Sequence, residues 1–68
     1  MKYILITFYL THREGEPTWL VYGHVAPGVN EELGEYKNQL EALSEAFKYG
    51  APVFLGRNYL AVLEKLYA

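Results

Sequence analysis

Two stretches of this chain read as strands and constrain everything else. Residues 2–12 run Lys-Tyr-Ile-Leu-Ile-Thr-Phe-Tyr-Leu-Thr-His, and residues 18–26 run Thr-Trp-Leu-Val-Tyr-Gly-His-Val-Ala. Both are rich in β-branched and aromatic side chains, which suit a pleated, half-buried surface. Between them lies Arg13-Glu14-Gly15-Glu16-Pro17, a charged stretch with the chemistry of a turn. The pair is expected to form an antiparallel hairpin. A two-residue turn at Gly15-Glu16 would require a Pro17 N–H, which proline lacks. A four-residue loop, Glu14 to Pro17, avoids this and sets Arg13 opposite Thr18.

In that register Phe8 faces Gly23, where the missing side chain leaves room for the ring. One face holds Ile4, Ile6, Phe8, Leu10, Trp19, Val21 and Val25, with His12 at its end. The other holds Tyr3, Leu5, Thr7, Tyr9, Thr11, Leu20, Tyr22 and His24, with Tyr9 and Tyr22 directly cross-strand. Strict alternation makes the first face the core and the second an amphipathic surface. Lys2 followed by an apolar run invites comparison with a signal segment. However, no small-residue cleavage site follows, and the run is far short of the ~20 apolar residues of a membrane span. A buried strand in a cytoplasmic protein, with no membrane contact, is the expectation.

Pro27-Gly28 ends the second strand, and a helix is expected to follow. Asn30 is a suitable N-cap, and Glu31 and Glu32 suit the positive end of a helix dipole. Leu33, Tyr36, Leu40, Leu43 and Phe47 recur at helical spacing, with Glu31, Glu32, Glu35, Glu41 and Glu45 on the outward side. Gly50 is placed to end the helix and Pro52 to block its continuation. Val53-Phe54-Leu55 is either a short third strand or a tight connector. As a strand it is expected beside the first and parallel to the second. Asn58 then caps a second helix, 59–67, apolar over so much of its surface that it must be sandwiched. The fold class is α+β: a single domain, 1–68, in the order β-β-α-(β)-α, with both helices packed on the Ile4/Ile6/Phe8/Leu10 face.

A 68-residue chain buries only about 60% of its unfolded surface. The core candidates are Ile4, Ile6, Phe8, Leu10, Val21, Val25, Leu33, Leu40, Leu43, Phe47, Leu60 and Leu63. Their burial roughly balances the entropy of ordering the chain. There is no cysteine to supply a disulfide or a thiolate metal site. Assembly into a homodimer is the remaining remedy.

A net charge of −2 excludes a nucleic-acid binder held mainly by phosphate attraction. Seven tyrosines are many for this length. Those on the second sheet face suit a protein interface, where an apolar ring with a polar tip is favoured. The expected interface is Tyr3, Leu5, Tyr9, Leu20, Tyr22 and His24. Arg57, beside Gly56 at a helix entry, is a candidate anion contact. His12 and His24 point to opposite faces, so no joint catalytic or metal site is expected. No cofactor is called for either.

The favoured reading is a small non-enzymatic interaction module: an adaptor, inhibitor or accessory protein of phage or plasmid type. Its partners would be a second copy and another protein. One alternative is a single-stranded nucleic-acid binder that stacks bases on the tyrosine face; its missing basic rim weighs against it. Another is a small enzyme subunit with His24 or Arg57 in a site completed by a partner chain.

Overall fold

The computed structural model describes residues 2–67. The chain is α+β, with four strands, two helices and a mixed sheet: β1 (Leu5–Arg13), β2 (Glu16–Ala26), β3 (Val29–Tyr36), α1 (Gln39–Ala46), β4 (Val53–Leu55) and α2 (Tyr59–Tyr67). The sheet order is β3-β2-β1-β4.

The β1–β2 hairpin forms, with its register moved by two residues from the expected one. Arg13 pairs with Glu16 and Leu5 with His24. The turn is the two residues Glu14-Gly15, both at positive φ (54° and 81°), as a type I′ turn requires. Pro17 then pairs with His12, at a position where the ladder needs no N–H from it. A shift of two preserves parity, so the face assignment of β2 survives. Ile6, Phe8 and Val21 are buried together on one face.

Ile6, rather than Phe8, sits opposite Gly23. The room above Gly23 is taken by Tyr3, whose ring would lie 2.5 Å from an added Cβ. The chain bends at Ile4. Tyr3 therefore packs with the core beside α1, and Ile4 lines a groove with Leu60 and Leu63 of α2. Both lie on the face opposite to the one expected for them.

The largest departure is β3. Residues 29–36 are a strand, so the first helix starts only after its cap Asn38, whose Oδ1 accepts the Glu41 N–H at 2.9 Å. Pro27-Gly28 is a tight turn with Gly28 at φ 80°, the geometry of a type II turn. Such a turn twists against a hairpin. An extra residue in β2, Val25, between His24 and Ala26, supplies the compensating twist. A second irregularity leaves Leu33 unpaired in β3 and lets it pack on the core.

A 3₁₀ turn, Phe47–Tyr49, closes α1 and ends at Gly50 with φ 70°, as expected of a helix-ending glycine. Val53–Leu55 is indeed a strand beside β1, but it runs parallel to β1 and not to β2.

The two helices lie on opposite faces. Ala42 and Ala46 of α1 are buried against Ile6, Phe8 and Val21. α2 covers the tyrosine face, with Tyr59 stacked on His24 at 4.2 Å. This corrects the expectation of two helices on one side, and α2 is not sandwiched: Leu63 is buried against the sheet, while Leu60, Leu66 and Tyr67 stay exposed. Leu10, Leu40, Phe47 and Leu60, expected in the core, are exposed.

Candidate functional site

The face of the sheet under α2 gathers most of the chain's polar chemistry. β1 contributes Thr7 and Tyr9, β2 contributes Tyr22 and His24, and β3 contributes Asn30. The entry to α2 contributes Arg57 and Tyr59. These seven residues line a concavity of about 280 Å³.

His24 is its floor. The ring is 3% exposed. Thr7 Oγ1 lies 2.7 Å from Nε2, and Asn30 Oδ1 lies 2.7 Å from Nδ1. Asn30 Nδ2 donates to the Tyr59 hydroxyl at 3.3 Å, and the Gly28 N–H donates to the same oxygen at 3.2 Å. With the amide nitrogen turned to Tyr59, its oxygen must accept from the ring, so His24 carries its proton on Nδ1. Thr7 then donates to Nε2. Burial pushes the ring below its ordinary pKa, and the bond to Asn30 opposes this. His24 is therefore a neutral structural group with both nitrogens engaged, unlike an exposed base awaiting substrate.

The tyrosine rings form the wall. Tyr9 and Tyr22 stack with centroids 5.9 Å apart and planes 3° from parallel. They are diagonal neighbours, because Tyr9 pairs with Leu20 and Thr7 with Tyr22. The Tyr22 hydroxyl donates to Glu32 at 3.1 Å. Burial, with Tyr9 and Glu32 close by, pushes the Tyr22 phenol up. Arg57 lies over the Tyr9 ring, 4.7 Å from its centroid, a cation–π contact. Among the described residues Arg57 makes no ion pair. Arg13, by contrast, reaches across β2 and is neutralised by Glu32 and Glu35 of β3.

Of the six residues expected at an interface, the structure brings Tyr9, Tyr22 and His24 together. Leu5, Leu20 and His24 are buried within the chain and offer no surface to a partner. Tyr3 lies on the other face, its hydroxyl donating to Glu31 at 2.7 Å and its ring edge-on to Tyr49 at 5.5 Å. Arg57, read from the sequence as an anion contact, joins the same cluster as Tyr9.

Asn30 and Tyr59 were not legible as members. Asn30 resembles a helix cap, and Tyr59 was one of many apolar residues in α2. Thr7 was legible, since alternation alone puts it on the His24 face. Among the described residues no three His, Asp or Glu side chains converge as a metal site, and no helix is long and apolar enough to cross a membrane. No family model, curated protein or solved structure matches the chain.

Proposed function

We propose that the chain is a non-enzymatic interaction module that recognises a protein segment at the Tyr9–Tyr22–Arg57–Tyr59 concavity. The observation that carries this reading is the contrast between the sealed floor and the open wall. His24 has no nitrogen left for chemistry, while the half-buried Tyr9, Tyr22 and Tyr59 rings keep part of their surface open and Arg57 is exposed. Tyr and Arg are the side chains that dominate recognition surfaces, since each combines apolar area with directed polar groups. The positive end of α2, which begins at Tyr59, adds to the Arg57 charge. The preferred partner presents a carboxylate beside an aromatic or aliphatic side chain.

Stacking of single-stranded bases on the same rings is the competing use. Glu32 and Glu35 lie along the rim, and Glu32 holds the Tyr22 hydroxyl. These carboxylates repel a phosphate backbone, and the one nearby Arg13 is already paired with them.

A random-peptide display selection on the immobilised protein tests the proposal, with Arg57→Ala as counter-selection. Enriched peptides should pair an acidic with an apolar residue and bind the parent at least about tenfold more tightly than the variant. Peptides indifferent to Arg57 would sink the reading. So would salt-sensitive, sub-micromolar binding of an oligothymidylate.

A further inference from the structure

β4 is an edge strand whose outer side is open. The Ile6 N–H donates to the Pro52 carbonyl, and the Gly56 N–H donates to the Phe8 carbonyl. In a parallel ladder alternate residues turn their backbone groups to the same neighbour. Pro52, Phe54 and Gly56 therefore point at β1, and the N–H and C=O of Val53 and Leu55 point outward. From Gly50 to Gly56 the chain has no charged residue; β4 is short and follows Pro52, but no charge guards its outer side.

The surfaces on both sides of this edge are apolar as well. On the α1 face, Leu55 lies beside Phe8 in register and Leu10 follows on β1. Leu40 borders Tyr36, Glu41 and Glu45, but at 100° per residue Phe47 shares a flank with Leu43, away from Glu41, Glu45 and Lys48. Those three charges act on Tyr36 of β3, so the apolar flank faces the β4 side. On the α2 face, Phe54 pairs with Thr7. The Leu60–Glu64–Tyr67 flank lines a groove with Pro27, so the opposite flank, with Leu66, faces β4. Leu10, Phe47, Phe54, Leu55 and Leu66 are all open, by 36–63%. At the area of large apolar side chains this leaves on the order of 400 Å² per protomer. Together with the strand backbone it comes near the ~600 Å² per partner at which specific interfaces begin.

We propose that a second copy of this chain docks antiparallel on β4, about a two-fold axis at Phe54. Residue numbers across the axis then sum to twice 54. Val53 faces Leu55 of the partner subunit as a hydrogen-bonded pair, and Leu55 faces Val53 of the partner subunit. All four outward backbone groups of each protomer are satisfied. Arg57 falls opposite Ala51 of the partner subunit, so no like charges meet. The two sheets become one of eight strands, and the exposed apolar flanks close on each other. This interface lies at β4 and is separate from the Tyr22 side of the concavity.

Sedimentation over roughly 1 µM to 1 mM tests it. The parent should pass from 7.8 kDa to twice that mass. Leu55→Lys puts a charge beside the axis, and Val53→Pro removes an outward N–H without touching the bonds to β1. Each should weaken dimerisation at least about tenfold with an unchanged circular dichroism spectrum, while Tyr22→Ala should leave it intact. In the parent chain, exchange of the Val53 and Leu55 amides should slow as concentration rises, a readout that needs no variant to fold. A monomer throughout the range would overturn the proposal. So would a dimer that survives both β4 variants, or amides at 53 and 55 that ignore concentration.

Discussion

Along β3 the outer edge of the sheet carries Glu31, Glu32 and Glu35, tied to Lys2 and Arg13. Along β4 the other edge carries Val53, Phe54 and Leu55, with no charge nearer than Arg57. Helix α1 repeats the contrast, with Glu41, Glu45 and Lys48 toward β3 and Phe47 on the other flank. An edge studded with charges is hard for another strand to approach, and an apolar one invites it. The difference teaches that this small sheet is protected on one side and unfinished on the other. It also explains how a chain with a modest core leaves so many large apolar side chains open.

The contrast is between edges, so a lesion in the middle should erase it. Phe8 is buried between α1 and the ring of Trp19, 6.0 Å away. Phe8→Ala is expected to cost about 3–5 kcal/mol, comparable to the whole stability of a domain this small. Amide exchange should accelerate at β3 and β4 together. If only one edge responds, the edges belong to separate cooperative units and the comparison must be redrawn.

A smaller lesion should act on one edge alone. Tyr3 sits over Gly23 and reaches Glu31, joining the start of the chain to β3. Gly23→Ala puts a methyl within 2.5 Å of that ring and is expected to cost about 1–3 kcal/mol. The Tyr3 hydroxyl, followed by Lys2, holds the Glu31 carboxyl below its ordinary pKa. The variant should let that pKa rise, as an NMR titration would show, while exchange at β4 stays as it was. Equal disturbance of both edges would mean that Tyr3 is part of the central core and not a tie to β3.

The faces of β1 and β2, the cap and span of α2 and the Gly50 terminus were readable from alternation, capping and turn chemistry, while Val53–Leu55 could be read as either a strand or a connector. β3 was not, and the reason is local mimicry. Asn30-Glu31-Glu32 has the composition of a helix start, and Leu33 and Tyr36 continue its spacing. What decides against the helix is non-local: the outer N–H and C=O groups of β2 need a partner, and Pro27-Gly28 delivers residues 29–36 to them. The register failed by two because parity cannot detect an even shift. Only the left-handed conformation of Glu14 resolves it, and a Glu gives little sign of that. The site was half legible. Tyr9, Tyr22, His24 and Thr7 follow from one face of the hairpin, and Arg57 from its place before α2. Asn30 and Tyr59 depend on β3 and on the side chosen by α2.

His24 offers a milder perturbation, since it ties β2 to Asn30 on β3 and to α2 but makes no bond to β4. Burial lowers its pKa in the folded chain below the ordinary 6.5. Between the two values the unfolded chain binds more protons, so stability rises with pH there. The contribution is complete above about pH 6.5 and is lost as the pH falls toward the folded value. Thermal stability should therefore fall as the pH drops below about 6.5, and His24→Gln should flatten that limb. A second decline, from Glu31, should appear only below its ordinary value of 4.5 and survive in the variant. An unchanged slope in His24→Gln would mean that another group titrates there.

The smallest expected change in stability belongs to the charges of β3. Glu32 and Glu35 meet Arg13 in half-exposed ion pairs, and such pairs contribute about 0–1 kcal/mol. Replacing both by Gln should leave the melting temperature almost where it was. If the charges serve instead to keep strands away, the same double variant should have a large effect on association. A chain with both edges open can continue the sheet in two directions, so it should sediment as species larger than a dimer, increasingly so at high concentration. Circular dichroism must show the same fold as the parent for the comparison to hold. Should the double variant match the parent's assembly at every concentration, the charges are not what guards β3. The irregularity at Leu33, which breaks the ladder and bends the strand, would then be the guard. The difference between the two edges would lie in backbone shape and not in charge.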